Sequence, residues 1–546
     1  VFLALFVTEE FKDVRMVGDP PSSIGKFGAD TDNWMWPRHT GDFCMFRVYA
    51  NKDNKPAAYS QDNVPYKPKH HLPVSLKGVE QGDYAMIFGY PGSTDRYLTS
   101  YGVNLSTSKE LPERVKVRRK KLDIYEKYMQ ADRAVGIQYA SKHARVSNYW
   151  KNFMGMTKAL KKLNIEEQKK SEEDEFMAWV NKNNKTEYKD VMKLYESAYA
   201  NLKETKVARN HLIESMIGTE IFQYGFGFAR LKGAYEALNN KDIDDARKVK
   251  IQAAIDATVN SLKESAPGHF KNYYRPIDLE VCEAMLKMYM EDVPADLRFP
   301  EINALSKKCK NDYGKMAAGI FKSTMLDEQD KVMAFLNKPS YKALKKDQGV
   351  HLAGGIINHY RTGFGDKMKK AEIDKAKADR LFMKGRKEMN PNGKYYPDAN
   401  STMRVTFGNV LDYSPADAVK YKHFTTGQGI LEKYIKNDHE FDLPQRLIDI
   451  LEKKDYGQYA AKDGSLRVCF LSNNDITGGN SGSPVINGNG ELIGTAFDGN
   501  WEAMSGDIAF EPELQRTISV DIRYTLFIID KYAGARHLID EMTVVK

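Results

Sequence analysis

A β protein interrupted by one long helical insertion is the architecture this sequence predicts, and three observations carry it. Short apolar runs separated by Pro and Gly turns fill the chain up to about Thr94. Proline then disappears between Pro112 and Pro267, where apolar residues recur at helical spacing. Strand punctuation returns after Pro397. Each observation rests on backbone chemistry: Pro and Gly stop regular elements, whereas a 3.6-residue apolar period needs an unbroken helix.

The opening run Val1-Phe-Leu-Ala-Leu-Phe-Val7 reads as a buried strand. It lacks the basic leader of a signal peptide and runs directly into Glu9-Glu10. A fold seldom begins inside a strand, so further sequence is expected upstream of Val1. Strands are expected at Phe43-Cys-Met-Phe-Arg-Val-Tyr49 and Tyr84-Ala-Met-Ile-Phe88, with turns at Gly18-Asp-Pro-Pro21 and Tyr90-Pro-Gly92. Through the middle segment Val191, Leu194, Tyr195, Ala198 and Leu202 form one helical stripe. Ile251, Ala254, Ile255, Val259 and Leu262 form a second. After Pro397 come strands at Met403-Arg-Val-Thr-Phe407 and Leu466-Arg-Val-Cys-Phe-Leu471. A hairpin follows, with Pro484-Val-Ile486 and Glu491-Leu-Ile493 flanking the turn Asn487-Gly-Asn-Gly490. A helix near Leu526-Phe-Ile-Ile-Asp530 closes the chain. The segments so defined are residues 1–95, 96–397 and 398–546.

Composition narrows the function classes. Hydrophobic residues make up 42% and charged residues 29%, an ordinary globular balance. The net charge of +8, from 82 Lys+Arg against 74 Asp+Glu, is a weak field for this length and points to no nucleic-acid partner. The basic run Arg114-Val-Lys-Val-Arg-Arg-Lys-Lys121 is expected to be a solvated helix face. No apolar run approaches the roughly 20 residues of a transmembrane helix. Cys44, Cys282, Cys309 and Cys469 show no CxxC spacing, which argues against a zinc ribbon or a thioredoxin-type site and leaves the redox compartment open.

The chemistry concentrates in Thr477-Gly-Gly-Asn-Ser-Gly-Ser-Pro484, whose core fits the G-[DN]-S-G-[GS]-P pattern around the nucleophile of chymotrypsin-like serine proteases. Glycines let the backbone turn tightly enough to aim the amides of Gly479 and Ser481 at one point, and the same turn exposes the Ser481 hydroxyl. A serine nucleophile needs a base, and the base an orienting acid. In Trp36-Pro-Arg-His-Thr-Gly-Asp-Phe-Cys-Met-Phe-Arg-Val48, Asp42 precedes an alternating strand and is the candidate acid. His39 precedes Asp42 by a single turn. His70-His71 follows it among Lys67, Pro68 and Lys69. The other histidines are scattered, so none is a good base.

Asp32-Asn-Trp-Met-Trp-Pro-Arg-His-Thr-Gly-Asp42, the Thr477–Val485 motif, and Phe497-Asp-Gly-Asn-Trp501 with Ser505-Gly-Asp-Ile508 together resemble bacterial serine dipeptidyl-peptidases of the dipeptidyl-peptidase 7 and dipeptidyl-peptidase 11 group. The resemblance covers essentially the whole chain and implies a chymotrypsin-like double β-barrel, incomplete at its N-terminus, with a large inserted all-α domain. Residues 1–95 would be the first part of the peptidase barrel, 96–397 the helical cap, and 398–546 the second part with the nucleophile. The segment carrying the family's catalytic His would lie ahead of Val1.

By that resemblance Ser481 is the nucleophile, Asp42 orients the absent His, and the Gly479 and Ser481 amides form the oxyanion hole. Asn33, Trp34, Asn148 and Asp498 would clamp the free α-amino group of a substrate, which measures off two residues. Family members that prefer acidic residues before the scissile bond carry Arg at the place of Gly499. Glycine supplies no countercharge and leaves room, so the chain resembles the dipeptidyl-peptidase 7 type, with aliphatic or aromatic preference. The resemblance further implies peptide substrates with a free N-terminus, a homodimer, a periplasmic or envelope location, and no metal or cofactor. The chain by itself is expected to be inert. Rival readings are a catalytically dead protein that binds peptide N-termini, and a chymotrypsin-like endopeptidase.

Overall fold

The computed structural model describes residues 8–546, so the strand expected over Val1–Val7 lies outside the described residues. The chain divides into two compact units. One joins the chain up to Tyr97 with Tyr396–Lys546, and the other is Leu98–Tyr395. The composition of the sequence places the same boundaries at residues 95 and 397, within two residues of these.

Most strands of the first unit belong to one nine-stranded sheet. Its main path runs Arg404–Asn409, Tyr84–Gly89, Ser483–Ile486, Leu492–Gly499, Thr517–Asp521, Arg467–Ser472 and Phe424–Thr426, with every neighbouring pair antiparallel. A bridge between Val410 and Ser472 ties the first of these strands back to the sixth and closes them on themselves. Ala85, Ile87, Val410, Phe470, Val485, Ile493 and Ala496 fill the interior. Alternation explains the placement: in Tyr84–Gly89, Ala85 and Ile87 point inward while Tyr84 and Phe88 face out. The strand Tyr84–Gly89 therefore pairs with the C-terminal strands rather than with its own sequence neighbours. A separate three-stranded antiparallel sheet is built from Asp13–Gly18, Met45–Ala50 and Val64–Pro65.

A second apolar layer covers the outside of the closed strands. Leu447, Ile448 and Leu451 of the helix Gln445–Glu452 pack with Val468, Ile518, Val520, Tyr524 and Phe527. Fully burying an aliphatic or aromatic side chain of this size contributes roughly 1.5–3 kcal/mol.

The second unit is helical from Ser100 to Met389, apart from short connections. Side chains that bond back to the backbone start several of its helices. The Asp132 carboxylate accepts from Ala134 N at 2.8 Å, Asp244 from Arg247 N at 2.7 Å and Asp347 from Val350 N at 2.9 Å. The stripe on the helix Val191–His211 buries Val191, Tyr195, Ala198 and Leu202, with Leu194 half-buried. On the helix Asp245–Lys271 the buried face is Ile255, Val259 and Ala266. Ala254, expected on that stripe, is exposed, because a helical turn of 100° per residue carries it off the Ile255–Val259 line.

The basic run departs from expectation more sharply. Lys116 and Lys120 are exposed, but Lys121 is buried and donates to the carbonyls of Glu214 and Gly218, the latter at 2.8 Å. Burial pulls its ammonium down to about 8. Arg118 pairs with Glu214 at 2.9 Å, and Arg114 donates to Asn210 at 2.8 Å. Both guanidinium groups lie over the Phe153 ring. One face of the run thus packs inside the helical unit, where helix neighbours supply the countercharges that the linear sequence places far away.

Candidate active site

The nucleophile turn is shaped by backbone geometry. Gly479 adopts φ +107° and Gly482 φ +87°, the left-handed region where side chains are strained. A Cβ on Gly479 would stand 2.4 Å from the Tyr90 carbonyl oxygen, so the approach of Tyr90-Pro91-Gly92 requires glycine. Gly92 N donates to Gly478 O at 2.7 Å, and Gly482 N to Ala496 O at 2.8 Å. Two ion and hydrogen-bond contacts hold the approach to the turn: Arg96 grips Asp475 bidentately at 2.7 and 2.8 Å, and Thr477 donates to Asp507.

Between these anchors Asn480 is buried and its backbone N–H bonds Thr477 O. The N–H groups on either side, of Gly479 and Ser481, make no hydrogen bond among the described residues. Two adjacent, unsatisfied donors on an exposed turn are what an oxyanion would need. The Ser481 hydroxyl is exposed and donates to the carbonyl of Phe497 at 3.2 Å. The register of the strand Leu492–Gly499 shifts between Ala496 and Asp498, and the carbonyl that meets Ser481 belongs to Phe497, the residue at that shift.

Asp498 lies in a polar cage. Its Oδ2 accepts from Arg38 Nη1 at 2.7 Å and from Trp34 N at 3.1 Å, and its Oδ1 from Gly499 N at 2.9 Å. Both charged side chains are nearly buried, with 8% and 9% exposure. Arg38 also donates to Thr40 Oγ1 at 2.6 Å and Asp32 O at 2.8 Å, and its guanidinium lies over the Phe497 ring. Trp34, at φ +64°, brings its ring to 3.5 Å from where a Gly499 Cβ would sit. That same Cβ would stand 2.9 Å from the Ala503 Cβ. Gly499 is therefore closely packed at its first side-chain position, and the room expected there is taken by Ala503 and Trp34.

Asp42 follows this loop with its side chain open to solvent on one side. The surrounding protein withdraws water and raises its carboxyl above the usual range; Arg38 opposes that shift and nearby Asp498 adds to it. Among the described residues no histidine hydrogen-bonds Asp42 or Ser481, and Val1–Val7 contain none. His39 is buried against Gly429, and burial, with the cations Lys433 and Arg38, pulls its imidazole down to about 3. His70 and His71 are exposed, and His71 Nε2 meets Thr543 Oγ1 at 2.8 Å. His423 pairs with Asp412 at 2.8 Å, a contact that also engages the His423 backbone and closes a local loop.

Of the residues singled out from sequence, the first unit joins Trp34, Asp498 and Gly499 by hydrogen bonds, sets Ser481 against the neighbouring Phe497 on the turn that holds Gly479, and places Asp42 within electrostatic reach of Asp498. Asn33 adjoins Trp34. Asn148 belongs to the helical unit, half-buried on the helix Arg133–Lys162. Sequence reasoning missed Arg38, the group that holds Asp498. Its signal is an arginine set in an aromatic and Pro-rich loop, Trp34-Met-Trp-Pro-Arg38.

A serine hydroxyl on a glycine-framed turn, flanked by two amides that make no hydrogen bond among the described residues, is a serine peptidase type of site. The chain belongs to the peptidase S46 family, whose model matches residues 3–544. It is 46% identical over 550 residues to dipeptidyl-peptidase 7 of Porphyromonas gingivalis, covering 99% of this chain and 74% of that protein. It is 41% identical over 546 residues to the Asp/Glu-specific dipeptidyl-peptidase of Flavobacterium psychrophilum, again 99% of this chain and 74% of the relative. Its fold matches a crystal structure of Porphyromonas endodontalis DPP11 in complex with the dipeptide Arg-Glu. There the TM-score is 0.86 at 33% identity, covering 98% of this chain and 75% of that one.

Proposed function

We propose that this protein is a serine exopeptidase that releases dipeptides from the free N-terminus of oligopeptides. Relatives named as dipeptidyl-peptidases along nearly its whole length support the reaction class. The single observation that carries the mechanism is the Ser481 turn, with its exposed hydroxyl and the unbonded amides of Gly479 and Ser481. Ser481 attacks the carbonyl, the two amides receive the oxyanion, and Asp42 orients the histidine that takes the Ser481 proton. The resemblance to chymotrypsin-like double barrels extends this reading to the fold, with the closed six-strand path as the second barrel and the three-stranded sheet as part of the first.

Asp498, with Asn33 and Trp34, is proposed to hold the substrate ammonium. A carboxylate offers about four acceptor positions, and Arg38, Trp34 N and Gly499 N occupy three. One position is left for an ammonium. A charge held there at fixed distance from Ser481 sets the two-residue product length. Because Gly499 carries no countercharge, aliphatic or aromatic residues before the scissile bond are proposed to be preferred over Asp and Glu. The family resemblance adds a periplasmic or envelope location and a homodimer.

The 546-residue chain alone is proposed to be inactive, since no histidine among the described residues reaches Asp42 or Ser481. That observation also favours a second reading, a protein that binds peptide N-termini without cleaving them. Reading the coding frame ahead of Val1 separates the two: a strand ending in a His supports the peptidase, and a stop codon or a frame without that His supports the binder. Hydrolysis of dipeptide reporters with free and acetylated N-termini then tests the clamp. Cleavage of the acetylated series would indicate an endopeptidase, and faster cleavage of Asp-containing than Leu-containing reporters would overturn the role of Gly499.

A further inference from the structure

In the helical unit, three helices bring metal-ligating side chains together at a place remote in sequence from Ser481. Glu113 lies on the helix Leu111–Ala131, which continues the helical turns before it; His211 lies where the helix Val191–His211 runs on into Leu212–Ile217; and Asp292 is the last residue of the helix Arg275–Asp292. One ligand atom from each lies within 4.8 Å of the others. His211 is only 1% exposed, yet neither ring nitrogen makes a hydrogen bond, and the half-buried Glu113 turns a covered, unbonded Oε2 toward it. Native proteins rarely leave an imidazole buried with both nitrogens unsatisfied. The C-terminal end of the helix Arg275–Asp292 adds its negative partial charge to the two carboxylates, so the place attracts a cation.

The geometry fits one class of ion. Zinc bonds His nitrogen at about 2.0–2.1 Å and carboxylate oxygen at about 2.0–2.2 Å, so tetrahedral ligand atoms stand roughly 3.3–3.5 Å apart. His211 Nε2 lies 3.4 Å from Glu113 Oε2, off the line a hydrogen bond requires. An imidazole with two carboxylates suits Zn²⁺ better than the all-oxygen preference of Mg²⁺ or Ca²⁺. Lys116 Nζ now neutralises Asp292 at 2.7 Å and stands 4.0 Å from Glu113. Its side chain is half exposed and can swing into water.

We propose that Glu113, His211 and Asp292 form a structural Zn²⁺ site, completed by a water, that staples three helices of the helical unit. Zinc titration of the EDTA-treated, dialysed 546-residue chain tests this by calorimetry and metal analysis. One equivalent per chain and a raised melting temperature are expected. Glu113→Gln and Asp292→Asn, near-isosteric changes, are each expected to weaken binding by about 100-fold or more, beyond the loss typical of an outer-shell change. Lys116→Met, which removes the competing cation, is expected to tighten it. Cobalt(II) substitution supplies a readout independent of the variants, because a tetrahedral site with an imidazole gives strong visible absorption bands. Sub-stoichiometric zinc uptake, binding unchanged in both carboxamide variants, or an octahedral cobalt spectrum would each overturn the site.

Discussion

Replacing Asp498 with Asn tests the network around the nucleophile strand most directly. The change keeps side-chain volume but removes the carboxylate that pairs with Arg38, at 2.7 Å, in a place where both side chains are less than a tenth exposed. With charge centres about 4 Å apart and an effective dielectric of about 20, the attraction is about 4 kcal/mol. Stranding a buried charge by removing its partner costs about 3–5 kcal/mol, and the two figures agree. In urea, with a slope of about 3 kcal/mol/M for a unit of this size, the midpoint should fall by about 1 M or more. Tryptophan fluorescence suits the assay, since Trp34 and Trp36 lie in the same loop. The double variant Arg38→Met with Asp498→Asn removes both charges and keeps an apolar stem against Phe497. It should regain most of the loss, giving a coupling energy of at least about 2 kcal/mol. A wild-type midpoint for Asp498→Asn, or a double variant as unstable as the sum of the singles, would refute the claim that Asp498 is held by a buried ion pair.

The remaining predictions read other parts of the same unit. Gly499→Ala should destabilise by about 1–3 kcal/mol through overpacking against Ala503 and Trp34, and adding Ala503→Gly should recover part of it in the same denaturation assay. Gly479→Ala should cost about 3 kcal/mol, because a Cβ at φ +107° would meet the Tyr90 carbonyl at 2.4 Å, and the unfolding midpoint should fall accordingly. His39 is held at about 3 in the fold against 6.5 in the unfolded chain, so only the unfolded state takes up its proton as pH falls through that window. Stability should therefore drop below pH 6.5, by about 2 kcal/mol at pH 5 from this group alone. His39→Gln should flatten that part of the stability profile; an unchanged slope would show that His39 is not buried as a neutral ring.

Local signals made much of the architecture legible. Proline exclusion between Pro112 and Pro267 coincides with continuous helical structure because an internal proline removes a hydrogen bond and clashes with the preceding turn; Pro267 itself is accommodated within the helix Asp245–Lys271. The glycines of Thr477–Pro484 were readable for the same reason, since φ above zero is a property of single residues. Burial of the basic run was not legible. Lys116 and Lys121 carry the same side chain, and only the helices packed beside them decide that one meets water and the other the carbonyls of Glu214 and Gly218. Arg38 was overlooked because its partner, Asp498, is 460 positions away.

What the sequence alone determines here is backbone grammar and one motif: where helices run, where strands begin, and where a serine can be presented on a glycine turn. Those properties depend on sterics and hydrogen bonding within a few residues. Tertiary structure decides what depends on distant partners and on water. It pairs Tyr84–Gly89 with the C-terminal strands, closes the sheet through Val410 and Ser472, neutralises Asp498 with Arg38, and fills the space at Gly499 with Ala503 and Trp34. The charge state of a carboxylate and the room beside a glycine are set by whichever atoms exclude solvent from them, and the fold brings those atoms from segments hundreds of residues apart.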